Sequence, residues 1–305
     1  MTATFYKVGG HPLRMRVTPY GLIVVDSLGG SVKLLEDGKI LVEIDNLKFP
    51  VWADVCCGGV YISELKSSRI ILWKNGEVLK SARIPRPEML KIKDEKIFVS
   101  SGRDIYIFGK DLKLLRRLRF PSSSVYFYIS GDKLVHLEYW GSHPDMTISS
   151  ISASYKVSLD FGLSKPFRYE EMDGRALILD YLGKLVVMNG GIKRVLRVGR
   201  YSYGMAFSKD SVFVSSLVEN FVRKIDLKTL NQSFIKIPSP AGDIEYCCGS
   251  LVMCGVFKDE VYMFDGRSIK TIRGCKYPLM AESDPPYVYV LCSDSGKILK
   301  IDFSK

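Results

Sequence analysis

Short apolar runs recur along the chain, each bounded by turn residues. The clearest are Gly21–Asp26 (GLIVVD), Gly59–Glu64 (GVYISE), Lys96–Ser101 (KIFVSS), Lys133–Glu138 (KLVHLE), Arg175–Asp180 (RALILD), Ser211–Ser216 (SVFVSS), Ser250–Cys254 (SLVMC) and Tyr287–Cys292 (YVYVLC). Successive starts lie roughly 36–42 residues apart, the spacing of four-stranded propeller blades. Each run stands second in a repeated unit: a loop with Pro or Gly, a short apolar strand, a turn, the stronger run, then a third and a fourth strand. Runs such as LIVV and VYVL are apolar on both faces, as suits a strand packed between two neighbouring sheets. The pattern predicts an all-β chain, an eight-bladed β-propeller with seven blades as the alternative, in one domain over residues 1–305.

Third strands are predicted at Val32–Leu35, Arg69–Trp73, Ile105–Phe108, Thr147–Ile151, Lys184–Met188, Phe221–Ile225, Glu260–Phe264 and Lys297–Ile301. Several are followed by Asp37-Gly38, Asn75-Gly76, Asn189-Gly190 or Asp265-Gly266, dipeptides that supply the positive φ angles of tight hairpins. Seven of the thirteen prolines stand at equivalent points, namely Pro12, Pro50, Pro87, Pro121, Pro166, Pro240 and Pro278, with Gly204 in the one missing place. Proline is tolerated as the first residue of a strand, where no ladder donor is needed. The last copy stops after its third strand, and Ala3–Val8 alternates like a strand with no blade of its own. Thr2–Val8 is therefore expected to pair as the outer strand of the last blade and close the propeller.

Composition narrows the function classes. A net charge of +11 favours acidic partners. No apolar run is long enough to cross a bilayer as a helix. The opening MTATFYKVGG lacks a charged stretch followed by an apolar one, so a cytoplasmic location is expected. Asn occurs only at 46, 75, 189, 220 and 231, and Gln only at 232. Scarce amides with plentiful Lys, Arg and Ile resemble proteins of very hot environments. In such sources intracellular disulfides occur, which bears on the seven cysteines.

Residues Phe49–Glu77 read FPVWADVCCGGVYISELKSSRIILWKNGE and resemble an NHL-type repeat, with its opening Pro, its Gly before V-Y-I-S and its S-x-R-I before the third strand. The YVTN and SMP-30-like propellers have similar repeats. The resemblance implies a propeller used to bind protein or RNA. The sugar-lactonase relatives would add a metal held by Glu, Asn and Asp.

Catalytic motifs are missing from the sequence. The histidines His11, His136 and His143 offer no pair at zinc-ligand spacing on one element. There is no G-x-S-x-G, G-x-G-x-x-G or P-loop. His136 is expected inside a blade with a hydrogen-bonded ring. Asp26, Glu64, Glu138 and Asp180 end four of the second strands. Four carboxylates around one mouth would suit a hard cation, but without suitably placed Asn the preferred reading is that each accepts hydrogen bonds from its own loop. No metal, no cofactor and no catalytic residue are assigned.

Two groups of residues are candidates for binding. The insertion in blade 4 carries Tyr139, Trp140, His143 and Asp145, either a contact point for a protein partner or a loop folded back on its blade. Cations beside the prolines, Lys48, Arg86, Lys165, Arg168, Arg200 and Lys276, alternate with aromatic residues such as Tyr201, which suits RNA or an acidic partner. Asp26, Glu64, Asp145, Asp180 and Asp294 are expected nearby, diluting that charge. A second basic set, Lys110, Lys113, Arg116, Arg117 and Arg119 with Lys193, Arg194 and Arg197, falls on outer strands, where cations blunt exposed edges. Cys56-Cys57 and Cys247-Cys248 occupy the same place in two blades; they read as small buried thiols, with a Cys248–Cys254 disulfide as the sharper alternative. The expected function is a non-catalytic protein-interaction scaffold, with RNA or ribonucleoprotein binding as the alternative and a metal-dependent lactonase-like hydrolase as the third reading.

Overall fold

The computed structural model describes residues 1–123, 126–138, 146–153 and 156–304. Among them are eight four-stranded antiparallel sheets, the blades of a β-propeller. The predicted second strands are the second strands observed, to within a residue at their ends; Ser211–Ser216 and, in blade 2, Gly59–Glu64 are buried along their whole length. The outer strand of the same blade, Glu77–Arg83, is almost wholly exposed. The hydropathy gradient across a blade thus reproduces the order inner-to-outer.

Contacts divide the chain into two units, residues 1–45 with 198–305, and residues 46–197. The second unit carries blades 2 to 5. Three apolar cores lie between its successive blades: Tyr61 and Ile70 against Ile97 and Val99, Phe98 and Ile105 against Phe127 and Leu134, and Val135 and Leu137 against Tyr169 and Ile178. The first unit carries blades 6, 7, 8 and 1, joined in the same way by Phe213 with Leu251 and Met253, Val252 with Val288 and Val290, and Leu291 with Leu22 and Val24. In every pair, alternate residues of one second strand meet the preceding blade, the outcome of a two-residue side-chain period. Full burial of each such Val, Leu or Ile stabilises by about 1.5–3 kcal/mol.

The termini meet as expected. Thr2–Lys7 pairs antiparallel with Lys297–Asp302, Thr2 opposite Asp302 and Lys7 opposite Lys297. The N-terminal strand is the outer strand of the blade that begins at Pro278. The hairpins at Asp37-Gly38 and Asn75-Gly76 have positive φ at both residues. At Asn189-Gly190 the positive angles fall instead on Gly190 and Gly191. No described helix is long and apolar enough to cross a membrane.

One expected equivalence is corrected. Gly204 does not stand in the place of the missing proline. Pro50 and Pro278 each follow a residue of positive φ, Phe49 and Tyr277, and the matching residue in blade 6 is Tyr201, which precedes Ser202. Gly204 lies inside the strand Ser202–Phe207, where a Cβ would come within 2.7 Å of both the Gly242 carbonyl oxygen and Ser215 Oγ. It is there for close approach to the next blade's backbone, not for the corner.

Candidate functional site

Each blade is reached through a lead-in corner, and the corners carry the basic residues singled out from sequence. Phe49, Arg86, Tyr201 and Tyr277 turn the corner in the left-handed region, with φ of 59°, 45°, 53° and 50°. The corner is held by its own blade. Leu65 N–H donates to the Phe49 carbonyl at 3.0 Å, Leu217 to Tyr201 at 3.0 Å, Ser293 to Tyr277 at 3.1 Å and Tyr181 to Lys165 at 3.0 Å. Left-handed backbone costs a non-glycine residue about 1 kcal/mol or more, so it persists only where surrounding bonds enforce it.

A second fastening comes from the residue that ends the second strand. Glu64 Oε1 accepts the Lys48 N–H at 2.6 Å, while Oε2 accepts from Ser67 Oγ at 2.8 Å and from the Arg69 guanidinium. Asp180 Oδ1 accepts the Lys165 N–H at 2.8 Å, Asp26 Oδ2 the His11 N–H at 3.3 Å, and Glu138 Oε2 the Ser122 N–H at 2.9 Å. Where serine ends the strand the polarity reverses: Ser216 Oγ donates to the Arg200 carbonyl at 2.8 Å and Ser101 Oγ to that of Pro85. In blade 8 the position is Cys292, bonded covalently to Cys275 with the Cα atoms 4.9 Å apart. In blade 7 it is Gly255. A Cβ there would lie 2.6 Å from the Tyr262 ring, and the Tyr262 hydroxyl meets Ser239 Oγ in the lead-in loop at 2.8 Å.

These contacts bear on four expectations. The four carboxylates serve their own loops, the reading preferred from sequence. The disulfide is Cys275–Cys292, not Cys248–Cys254; Cys254 is a buried free thiol, and Cys248 is exposed. Asp26, Glu64 and Asp180 lie beside the basic corners as expected, buried and bonded to the loop N–H groups, and Asp294 lies exposed beside Lys276, where it dilutes the charge. His136 is buried as expected, its Nδ1 3.2 Å from Glu138 Oε1 and its ring stacked on Phe120 at 4.2 Å.

Burial alone would raise the Glu64 carboxyl; the Arg69 guanidinium, the Lys48 N–H and the Ser67 hydroxyl outweigh it and hold the carboxyl below the usual range. Glu138 follows the same logic: burial opposes, His136 and Ser122 prevail, and the carboxyl is held low. Among the described residues no group of three or more His, Cys, Asp or Glu is arranged to hold a metal ion.

The structure places the cations unequally. Lys48, Arg200 and Lys276 are exposed, each one residue before its corner. Lys165 and Arg168 are half-buried, flanking the start of blade 5. Tyr201 and Tyr277 are exposed at 43 % and 42 %. Arg86 is gathered with three other arginines. It lines a cleft of about 530 Å³ with Arg103, Arg117 and Arg119. Tyr139, Trp140, His143 and Asp145 lie outside the described residues.

That cleft lies on blade 3, with Ser123 of the lead-in to blade 4 at its edge. Its outer strand, Leu114–Arg119, puts Arg117 opposite Tyr106 and Arg119 opposite Asp104, so the period of two turns both guanidinium groups to one face. Arg117 Nη2 donates to Asp104 Oδ2 at 2.6 Å, and its guanidinium lies 5.3 Å from the Tyr106 ring centre. Arg103 reaches the Pro121 carbonyl at 3.4 Å. Two carboxylates, Glu88 and Asp104, share the cleft with the four arginines. Burial pushes the Glu88 carboxyl up, with Arg86 opposing. A guanidinium presents a planar fork of donors that matches carboxylate and phosphate. From sequence Arg117 and Arg119 are expected to protect an exposed edge; their i, i+2 spacing is the sign of a shared face.

No protein-family model matches the chain, and no curated protein matches it. Solved structures match along its whole length. The computationally designed Ika8 protein is 12% identical, with 98% of this chain and 99% of that one covered and a TM-score of 0.81. Sqt1 of Saccharomyces cerevisiae is 10% identical over 100% and 99%, with a TM-score of 0.78. A streptogramin B lyase is 12% identical over 98% and 96%, with a TM-score of 0.58. At such identities the likeness concerns the fold: this chain shares the β-propeller with proteins of unlike origin, an enzyme among them.

Proposed function

We propose that the protein is a non-catalytic binding platform that takes an acidic protein segment at its lead-in corners. The observation that carries this reading is the blade 3 cleft, where four guanidinium groups converge and two carboxylates oppose them. Charged side chains gathered in a concavity focus the field and raise the local concentration of an oppositely charged partner. The net charge of +11 acts in the same direction at longer range. Tyr139, Trp140, His143 and Asp145 of blade 4 belong to the reading as a second contact. Nothing catalytic is assigned, since the strand-end carboxylates are committed to their loops.

RNA binding is the second reading, favoured by one observation of its own. Tyr201 and Tyr277 are exposed, and each follows a cation, Arg200 or Lys276. A base stacking on such a ring while its phosphate meets the neighbouring cation is a common arrangement for single strands.

Fluorescence anisotropy with a labelled poly-glutamate peptide and a labelled oligouridylate separates the two. The platform reading expects peptide binding that weakens steeply with salt and falls by about tenfold or more in Arg86→Glu/Arg119→Glu. Oligouridylate binding that exceeds the peptide and is lost in Tyr201→Ala/Tyr277→Ala replaces it with the RNA reading. Failure of both probes to bind removes the lead-in corners as a contact face for acidic partners.

A further inference from the structure

The second residue of the second strand is a branched aliphatic in seven blades: Leu22, Val60, Ile97, Leu134, Val212, Leu251 and Val288. All seven are buried, none more than 6 % exposed. In the paired cores this position faces the preceding blade, as Leu134 does toward blade 3 and Leu251 toward blade 6. Blade 5 has Ala176 there instead, and Ala176 is only half-buried. The missing side chain is not replaced. Between blades 4 and 5 the core opens into a cleft of about 680 Å³.

Its apolar wall comes from both blades, from Ile148, Leu159 and Phe161 on one side and Tyr169, Ala176 and Met188 on the other. Lys133, Arg175 and Lys193 stand at the mouth, with Glu171 and Asp173. Glu171 already accepts hydroxyls from Ser130 and Tyr169. Lys193 Nζ lies 4.8 Å from the Phe161 ring centre, a cation held over the apolar wall. A volume in this range fits a small organic ligand. Against burial, Lys133 helps the Ser130 and Tyr169 hydroxyls hold the Glu171 carboxyl ionised. Three cations against two carboxylates leave an excess of positive charge beside a wall of aliphatic and aromatic groups, which complements a molecule that is apolar at one end and anionic at the other.

We propose that the cleft between blades 4 and 5 binds an amphipathic organic anion, its ring or chain filling the volume left by Ala176 and its carboxylate or sulfonate meeting Lys133, Arg175 and Lys193. This site is separate from the blade 3 cleft and does not depend on it.

The probe is 8-anilinonaphthalene-1-sulfonate, with N-phenyl-1-naphthylamine as the analogue that keeps the rings and lacks the charge. Titration of the folded protein is expected to show one saturable sulfonate site, with the neutral analogue weaker by about tenfold or more. Ala176→Leu restores the side chain typical of the other blades. It is expected to abolish the site and to raise the thermal midpoint, a pair of effects that damage to the fold would not produce. Arg175→Met/Lys193→Met, on the exposed mouth, is expected to erase the preference for the sulfonate whatever the fate of Ala176→Leu. No saturable binding, equal binding of the two probes, or undiminished binding in a folded Ala176→Leu protein overturns the proposal.

Discussion

In blade 2 the corner ahead of Pro50 hangs on a carboxylate. Glu64 is fully buried and gathers the Lys48 N–H, the Ser67 hydroxyl and the Arg69 guanidinium around its two oxygens. In blade 8 the corresponding corner ahead of Pro278 hangs on the Cys275–Cys292 bond. Both corners turn through a left-handed aromatic residue, and both return a backbone N–H to it from just past the second strand. The difference teaches that the geometry demands a tie at this point but not its chemistry. A charge network, a hydroxyl or a covalent bond fits the same space, and in blade 7 a tyrosine reaches in from the third strand. What differs is the vulnerability of each tie.

The largest expected loss comes from Glu64→Ala. It leaves the Lys48 N–H and the Ser67 hydroxyl without their acceptor, while the Arg69 side chain, 37 % exposed, turns to water, so the cost is about 3–4 kcal/mol in denaturant unfolding, toward the lower end for breaking one side of a buried ion pair. Cys275→Ser/Cys292→Ser should cost somewhat less, about 3 kcal/mol, the chain-entropy value for a closure of 17 residues. A larger loss in blade 8 than in blade 2 would reverse the ranking of the two ties.

Acid distinguishes them further. The Glu64 carboxyl is held below its ordinary value of 4.5, because its partners outweigh burial. Its stabilisation is therefore complete above pH 4.5 and is lost as pH falls through the lower folded-state value. Unfolding measured between pH 6 and pH 3 should show a shallower acid loss in Glu64→Gln than in the parent, and an unchanged one in the double cysteine variant. The smallest effect belongs to Ser216→Ala, which removes one hydroxyl-to-carbonyl bond and should cost about 1 kcal/mol. A loss as large as that of Glu64→Ala would mean that the corner of blade 6 depends on its tie as strongly as a charged one does.

Much of the architecture was legible before any coordinates. The second strands announce themselves because burial on both faces demands unbroken apolar runs, and Thr2–Lys7 could be matched to Lys297–Asp302 because the last copy lacked a fourth strand. The corner at Tyr201 was misplaced to Gly204 because positive φ there is imposed by tertiary bonds and not by a residue type that advertises it. The disulfide was misjudged for a related reason: which cysteines meet depends on where the lead-in loop crosses the end of the second strand. The blade 3 cleft was half visible. Arg86 was singled out, while Arg103, Arg117 and Arg119 became its neighbours only through strand register.

Sequence alone determined the repeat and the pairing of the terminal strands, narrowed the blades to eight or seven, and favoured a loop-bonding role for the strand-end carboxylates, all consequences of periodic burial and of polar groups that must be satisfied locally. Tertiary structure alone decided which distant side chains converge: the cysteines that bond, the arginines that share a face, and the space that opens where Ala176 stands in place of a larger neighbour. Convergence depends on how one blade is stacked against the next, and a pattern of residue types along a line carries no measure of the distance between two blades.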